Sequence, residues 1–308
     1  MRTSRSTRGK RSVREARVPV RPPYRLDLTA VVLRRLSTNV VDVFDGAVYR
    51  RLLGDPRDPT LIAVEQTAPD ALAVRLDGPL ADSLDAAALV GRSLGAGVDL
   101  RAFDAGAAGV PWLDAIARAA RGVKPPRYPS LWETACNAIV YQQISIHAAG
   151  AILRRLIERL AVAVDVPGAR LYAFPPPRTL LGADPLDLRA AGLSVNKINA
   201  LEAVGTAIAS GELDEAALER LPTEELLQAL VAHKGIGPWT AAVIALRGFG
   251  RLDVFPMKDS GVAAALRTLS GDPNVEAQPI LDALRPQQGM LYYHLLLGRL
   301  KASGEVSL

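Results

Sequence analysis

One stretch of the chain brings a carboxylate, an indole and a glycine-flanked turn close together in sequence. Thr223 to Phe249 reads TEELLQALVAHKGIGPWTAAVIALRGF, and Asp253 to Gly261, just beyond it, reads DVFPMKDSG. Glycines at both ends of the Gly235-Ile236-Gly237 turn permit positive φ and leave no side chain to hold a ligand away, while Ile236 plugs the gap between flanking helices. Pro238 suits the first turn of the helix that follows, where its missing N–H is no loss. Such a turn presents a row of amide donors at a helix N-terminus, a geometry that binds phosphate without positive side chains. Asp259 precedes SGVAAALRTL and on its own reads as a helix N-cap. The turn upstream turns the odds toward chemistry, and both roles fit on one side chain. Asp253 is the second carboxylate to consider.

The elements that must position these groups follow from periodicity. Thr223 is expected to cap the helix before the turn, with Glu224 and Glu225 favouring its dipole and Leu226, Leu227, Leu230 and Val231 forming its buried stripe. From Pro111 onward the spacing is helical, as in Leu131, Ala135, Ala138, Ile139 and Gln142, then Ile152, Leu156, Ile157 and Leu160, and no strand pattern returns. Proline-rich breaks at 125–129 and 175–177 separate helices. Before Pro111 the segments alternate in the manner of strands: Leu28 to Leu33, Ala47 to Leu53, Thr60 to Gln66 and Ala71 to Leu76. The turn residues Thr67 to Asp70 join the last two as an antiparallel hairpin. A helical stretch around Leu84 to Leu94 covers one face of that sheet. The fold class expected is therefore α+β: an N-terminal antiparallel-sheet domain over residues 24–108, then a mostly all-α domain over 109–308, large enough for two lobes with a cleft between them.

Composition narrows the chemistry. The 308 residues carry 37 basic and 32 acidic side chains, but residues 1–22 hold eight of the basic ones against Glu15 alone, leaving 29 basic and 31 acidic in the remainder. A basic, disordered tail over residues 1–23 is expected, and any DNA contact on the body must be local. The single cysteine, Cys136, supplies neither a disulfide nor an iron–sulfur cluster, and reads as a small buried hydrophobe. The scattered His147, His233 and His294 lack metal-ligand spacing, so no metal site is expected. No apolar run is long enough to cross a membrane and none follows the N-terminal charges, which points to a cytoplasmic protein.

With these residues in place, the chain resembles the helix-hairpin-helix superfamily of DNA glycosylases. The hairpin, 224–247, reads KGIGPWTA at its core, and an aspartate follows in DVFPMKDSG. TACNAIVYQQISIHAA, Thr134 to Ala149, looks like the segment that enters the DNA groove. The resemblance covers roughly Leu26 to Leu300, and within the superfamily it favours the bacterial 3-methyladenine DNA glycosylase II group. It implies a metal-free enzyme that flips a damaged nucleotide out of double-stranded DNA and hydrolyses its N-glycosidic bond. Asp259 would stabilise the oxocarbenium-like sugar while water attacks. Trp239 would offer an aromatic face to a cationic alkylated purine, with Tyr292 lining the pocket. DNA contacts would fall to Gln142, Gln143, Ser145, Gly235, Ile236, Gly237, Thr240 and Lys258, with Gln143 as the wedge that fills the gap. Members that also cut the strand carry a lysine where this chain has Trp239, so hydrolysis without lyase activity is expected.

The resemblance also implies a monomer acting on alkylated DNA, with no cofactor beyond a Na, K or Mg ion bridging hairpin carbonyls to phosphate. Val243 and Gln287 stand where relatives carry pocket aromatics. In the apolar helix GMLYYHLLLGRL, Tyr292, Tyr293 and His294 are expected to pack or line the cleft. Lys197 could touch a phosphate, although a solvated helix lysine is commoner. Two other readings stay open: an oxidised-purine glycosylase of the same superfamily, disfavoured by Trp239, and a non-catalytic damage-binding protein, disfavoured by Asp259.

Overall fold

The computed structural model describes residues 11–308. Its N-terminal part is a five-stranded antiparallel sheet in the order β1-β5-β4-β3-β2, formed by β1 (Ser12–Pro19), β2 (Val43–Phe44), β3 (Val48–Leu53), β4 (Thr60–Ala68) and β5 (Ala71–Gly78). The β4–β5 hairpin expected from Thr67 to Asp70 is present, with Val64 opposite Val74 and Ile62 opposite Leu76. Helices α1 (Leu26–Arg34) and α2 (Ala86–Leu94) cover the inner face of the sheet.

Two expectations for this part are corrected. Leu28 to Leu33 is helix, not strand: all of Leu28 to Leu33 is buried because α1 is covered on two sides. Leu26, Ala30 and Leu33 pack on the sheet, while Leu28, Val31 and Val32 pack on C-terminal helices. A helix buried all round loses its polar stripe, and its β-branched run then imitates a strand. Residues 12–19, placed in the disordered tail, form β1, paired along its length with β5 from Ser12 opposite Gly78 to Pro19 opposite Ala71. The misleading signal was charge. The charges of this edge strand point outward and pair with the body: Arg14 donates to Leu84 O at 3.1 Å, Glu15 accepts from Arg75 of β5 at 3.2 Å, and, just beyond the strand, Arg21 donates to Asp99 at 2.7 Å. A charged edge also discourages pairing with another sheet. The first ten residues of that tail lie outside the described residues.

The remainder is helical: α3 (Arg101–Ala107), α4 (Pro111–Ala119), α5 (Leu131–Tyr141), α6 (Ile146–Leu160), α7 (Pro177–Leu181), α8 (Pro185–Ala190), α9 (Val195–Ala209), α10 (Glu215–Glu219), α11 (Thr223–Val231), α12 (Pro238–Arg247), α13 (Ser260–Ser270), α14 (Ala277–Ala283) and α15 (Met290–Ala302). One exception breaks the all-helical expectation. Ala163–Val166 (β6) and Ala169–Tyr172 (β7) form a hairpin around Pro167 and Gly168, and it packs Leu171 on Leu52 of the sheet.

The helices divide into two lobes with separate cores. Helices α5 to α12 surround one core, in which α5 and α12 are buried on nearly every side. Helices α3, α4, α13, α14 and α15 form the other, closed by the second face of α1. Phe103 and Ala107 belong to this helical core, so the change from sheet core to helix core precedes residue 108. No helix among the described residues is long and apolar enough to cross a membrane.

Candidate active site between the helical lobes

The lobes enclose a cavity of about 640 Å³ whose wall is built from the α5–α6 turn, the start of α12, the start of α13 and one face of α15. Asp259 is the N-cap of α13. Its Oδ1 accepts the amides of Gly261 at 2.8 Å and Val262 at 3.0 Å, and its Oδ2 accepts the Trp239 indole N–H at 3.0 Å. The cap is thus one half of this carboxylate, and the indole orients the other half. Each carboxylate oxygen accepts about two hydrogen bonds, so Oδ2 keeps an acceptor site free. Arg299 approaches the start of α13 closely at Gly261. A Cβ there would lie 2.6 Å from an Arg299 guanidinium nitrogen and 3.2 Å from Asp259 Oδ1.

The hairpin joins the carboxylate through that same indole. Helix α12 begins at Pro238, and its first closing bond is Ala241 N–H to Gly237 O at 2.9 Å, so the preceding amides have no acceptor within the helix. Gly237 is exposed, and a Cβ on it would meet nothing within 4 Å. Gly237 has negative φ, against expectation, so openness alone explains it. Gly235 does need to be glycine: φ is +93° and a Cβ would sit 2.8 Å from Ala200 Cβ on α9. Ile236 is buried in the first core, so it plugs the helix gap and its side chain is turned away from the cavity. Thr223 does not cap α11; Pro222 holds the cap position and Thr223 is already helical.

On the opposite wall the α5–α6 turn holds Gln142, Gln143, Ile144 and Ser145, all lining the cavity. Gln143 is exposed with φ +58°, a left-handed conformation uncommon for residues other than glycine. Gln142 is tied to buried Thr240 of α12, its side-chain amide donating to the hydroxyl at 2.7 Å. Ser145 caps α6 through Ala148 N–H at 3.2 Å. Lys258, exposed at φ +61°, lines the mouth beside Asp259.

Other expected residues fall elsewhere. Asp253 is exposed and outside this cavity, and Gln287 accepts Phe103 N–H at 2.9 Å and donates to Asp99 O at 2.6 Å, holding α3 in place of lining the pocket. Val243 does line it. Lys197 donates to the Val140 and Gln142 carbonyls at 2.7 and 3.1 Å, closing the end of α5, and is not a free surface cation. Tyr292 faces the cavity, whereas Tyr293 and His294 are buried. Burial holds the His294 ring at a pKa of about 4; it stacks on Phe103 at 4.5 Å and its Nδ1–H donates to Met290 O. Burial raises the Cys136 thiol well above its usual range, in keeping with an inert core residue. No group of three or more His, Cys, Asp or Glu among the described residues could hold a metal ion.

Among the lining residues that escaped the sequence, four stand out. Arg299 shares a helix face with Tyr292 and Leu296 at i, i+4, i+7 spacing, a signal that was available. Ile144 is an exposed apolar residue in a polar turn, also detectable. Tyr141 ends α5 and carried no signal in that pattern. Arg35 had none, because its position depends on α1 being read correctly.

Comparisons place this architecture. Residues 136–283 match the HhH-GPD superfamily of base excision DNA repair proteins. A Mycobacterium tuberculosis protein named probable bifunctional transcriptional activator/DNA repair enzyme AlkA is 32% identical over 285 residues, 91% of this chain and 56% of its own length. The DNA-3-methyladenine glycosylase of Bacillus subtilis is 27% identical over 186 residues, 60% of either chain. The chain thus spans under two thirds of the length of these curated relatives. Among solved structures, the 3-methyladenine DNA-glycosylase of Archaeoglobus fulgidus superposes with a TM-score of 0.74 at 22% identity, covering 92% of this chain and 98% of that one, a likeness of fold. Residues 136–283, which hold both the hairpin and Asp259, are those of the HhH-GPD superfamily of base excision DNA repair proteins.

Proposed function

We propose that the chain is a monofunctional DNA glycosylase that hydrolyses the N-glycosidic bond of alkylated purines such as 3-methyladenine and 7-methylguanine. The observation that carries the proposal is Asp259, held by three donors at the wall of a cavity roomy enough for a base and joined by one hydrogen bond to the first turn of α12. The open amides before Ala241 grip a backbone phosphate. The α5–α6 turn enters the stack, with Gln143, or Ile144 beside it, filling the space of the extruded nucleotide, and Lys258 contacts phosphate at the mouth. The base enters the cavity against Trp239 and Tyr292. The sugar then lies over Asp259, whose fixed negative charge stabilises the oxocarbenium-like transition state and orients the attacking water. A carboxylate already immobilised by its cap reorganises little during reaction, which is where such electrostatic stabilisation gains its strength.

A Na, K or Mg ion between hairpin carbonyls and phosphate fits the hard oxygen donors of the main chain and would bind together with DNA. The protein is expected to act as a cytoplasmic monomer. Two duplexes, one with 3-methyladenine and one with 7-methylguanine, test the reading. Free base should be released from both, with strand breaks only after heat or alkali. Breaks without treatment, or a borohydride-trapped adduct through Lys258, would overturn the monofunctional assignment.

A further inference from the structure

The cavity holds a charge that removal of a cationic base does not call for. Arg35 lines it, 4% exposed, at the C-terminal end of α1. Its backbone is strained, with φ +63° and ψ −65°, closed by Leu36 N–H donating to Arg34 O at 2.8 Å, a tight three-residue turn rare outside glycine. Strain of this kind persists where the surroundings over-determine it. The guanidinium lies flat on the Tyr141 ring, 4.0 Å from its centroid, and Nη2 reaches the Tyr292 hydroxyl at 3.4 Å, while Nε has no partner. Arg51, equally buried and likewise without a partner at Nε, is held by two carboxylates, whereas Arg35 pairs with none among the described residues. With Lys258 and Arg299, three cations line the cavity against the single carboxylate of Asp259.

A buried guanidinium with an unused donor, stacked and fixed in plane at the wall of a binding cavity, is suited to reading acceptor atoms on a planar ligand. It carries five N–H donors and no acceptor. From the glycosylase reading, on which this inference rests, we propose that Arg35 is a specificity-determining residue that reads the 6-position of the flipped purine. It favours 6-keto bases, which present O6, over 6-amino bases, which present an N–H₂ donor. Hypoxanthine gains most, since it offers O6 and N7 together and carries no positive charge. 7-Methylguanine keeps O6 alone. 3-Methyladenine turns a donor toward a donor and meets the cation's repulsion as well.

The test measures single-turnover release of hypoxanthine, 7-methylguanine and 3-methyladenine from matched duplexes by the parent protein, Arg35→Met and Arg35→Lys, with thermal unfolding as a folding control. Arg35→Met should lower the rate on hypoxanthine by about tenfold relative to 3-methyladenine, the scale of one bidentate base contact, and on 7-methylguanine, which offers O6 alone, by less. Arg35→Lys, which retains charge and loses the planar fork, should lose the hypoxanthine preference too. The parent gives a reading independent of either variant: free hypoxanthine should inhibit it at a lower concentration than free 3-methyladenine. Equal falls on all three substrates, unchanged ratios, or stronger inhibition by 3-methyladenine would overturn the role of Arg35 while leaving the glycosylase standing. Failure to release any of the three bases would remove both.

Discussion

The two ends of helix α5 treat charge in opposite ways. At its N-terminal end Glu133, Asp42 and the β3 residues Tyr49 and Arg51 form a charge-paired cluster: Arg51 donates to Asp42 at 2.6 Å and to Glu133, and the Tyr49 hydroxyl donates to Asp42 at 2.7 Å. All four side chains are buried, and the cluster bolts strand β3 to the first helical lobe. At the C-terminal end, Tyr141 carries the unpaired Arg35 on its face and opens onto the cavity with Asp259. A buried ion pair that is complete holds elements together; a buried charge left incomplete adds little to stability and remains available to a ligand. One helix therefore anchors the fold at one end and builds the site at the other.

The comparison breaks most visibly if the charge-paired cluster is opened. Glu133→Ala leaves Arg51 under-compensated in the interior and should cost roughly 3 kcal/mol in urea unfolding, with excision per folded molecule unchanged; Arg35→Met should leave stability unchanged or raise it. If both lose stability alike, the contrast between the two ends fails. A second buried polar group, His294, makes a pH-dependent prediction. Its pKa is held at about 4 in the folded state, below the ordinary histidine value, so the unfolded chain takes up a proton first as pH falls. Stability from this group is complete above about pH 6.5 and is lost through the window down to pH 4, about 3 kcal/mol in all. His294→Phe should remove that share of the slope in equilibrium unfolding between pH 7 and 4.5, and an unchanged slope would assign it to other groups. Trp239→Phe keeps an aromatic face and deletes the N–H that orients Asp259. Excision should fall about tenfold, which is about 1.4 kcal/mol in the barrier, and melting should hardly shift; an unchanged rate would reduce Trp239 to packing.

Much of this molecule was legible where local chemistry and tertiary role agree. The β4–β5 hairpin, the helix-turn-helix around Gly235 and the capping by Asp259 are set by turn residues, glycine and side-chain acceptors acting within a few positions, and all three stand in the structure. Reading failed where burial erased periodicity, as in α1, or where paired charges imitated disorder, as in β1. The site divided along the same line. Asp259, Trp239, Lys258 and Gln143 surround one cavity as a local motif would have it. Arg35 comes to them across the whole chain because α1 is wedged between two cores, and no spacing rule reports that. Thr240 and Gln142, both expected to contact DNA, also bond each other, a long-range pairing that the sequence does not encode locally.

The central claim is that one carboxylate charge, fixed beside the hairpin, performs the chemistry. Asn caps helices as well as Asp, so Asp259→Asn keeps α13 and removes only the charge. Single-turnover release of 3-methyladenine should fall by on the order of a hundredfold or more, with affinity for an abasic-site duplex preserved within a few fold. Release at the parent's rate by a folded, DNA-binding Asp259→Asn protein would contradict the account.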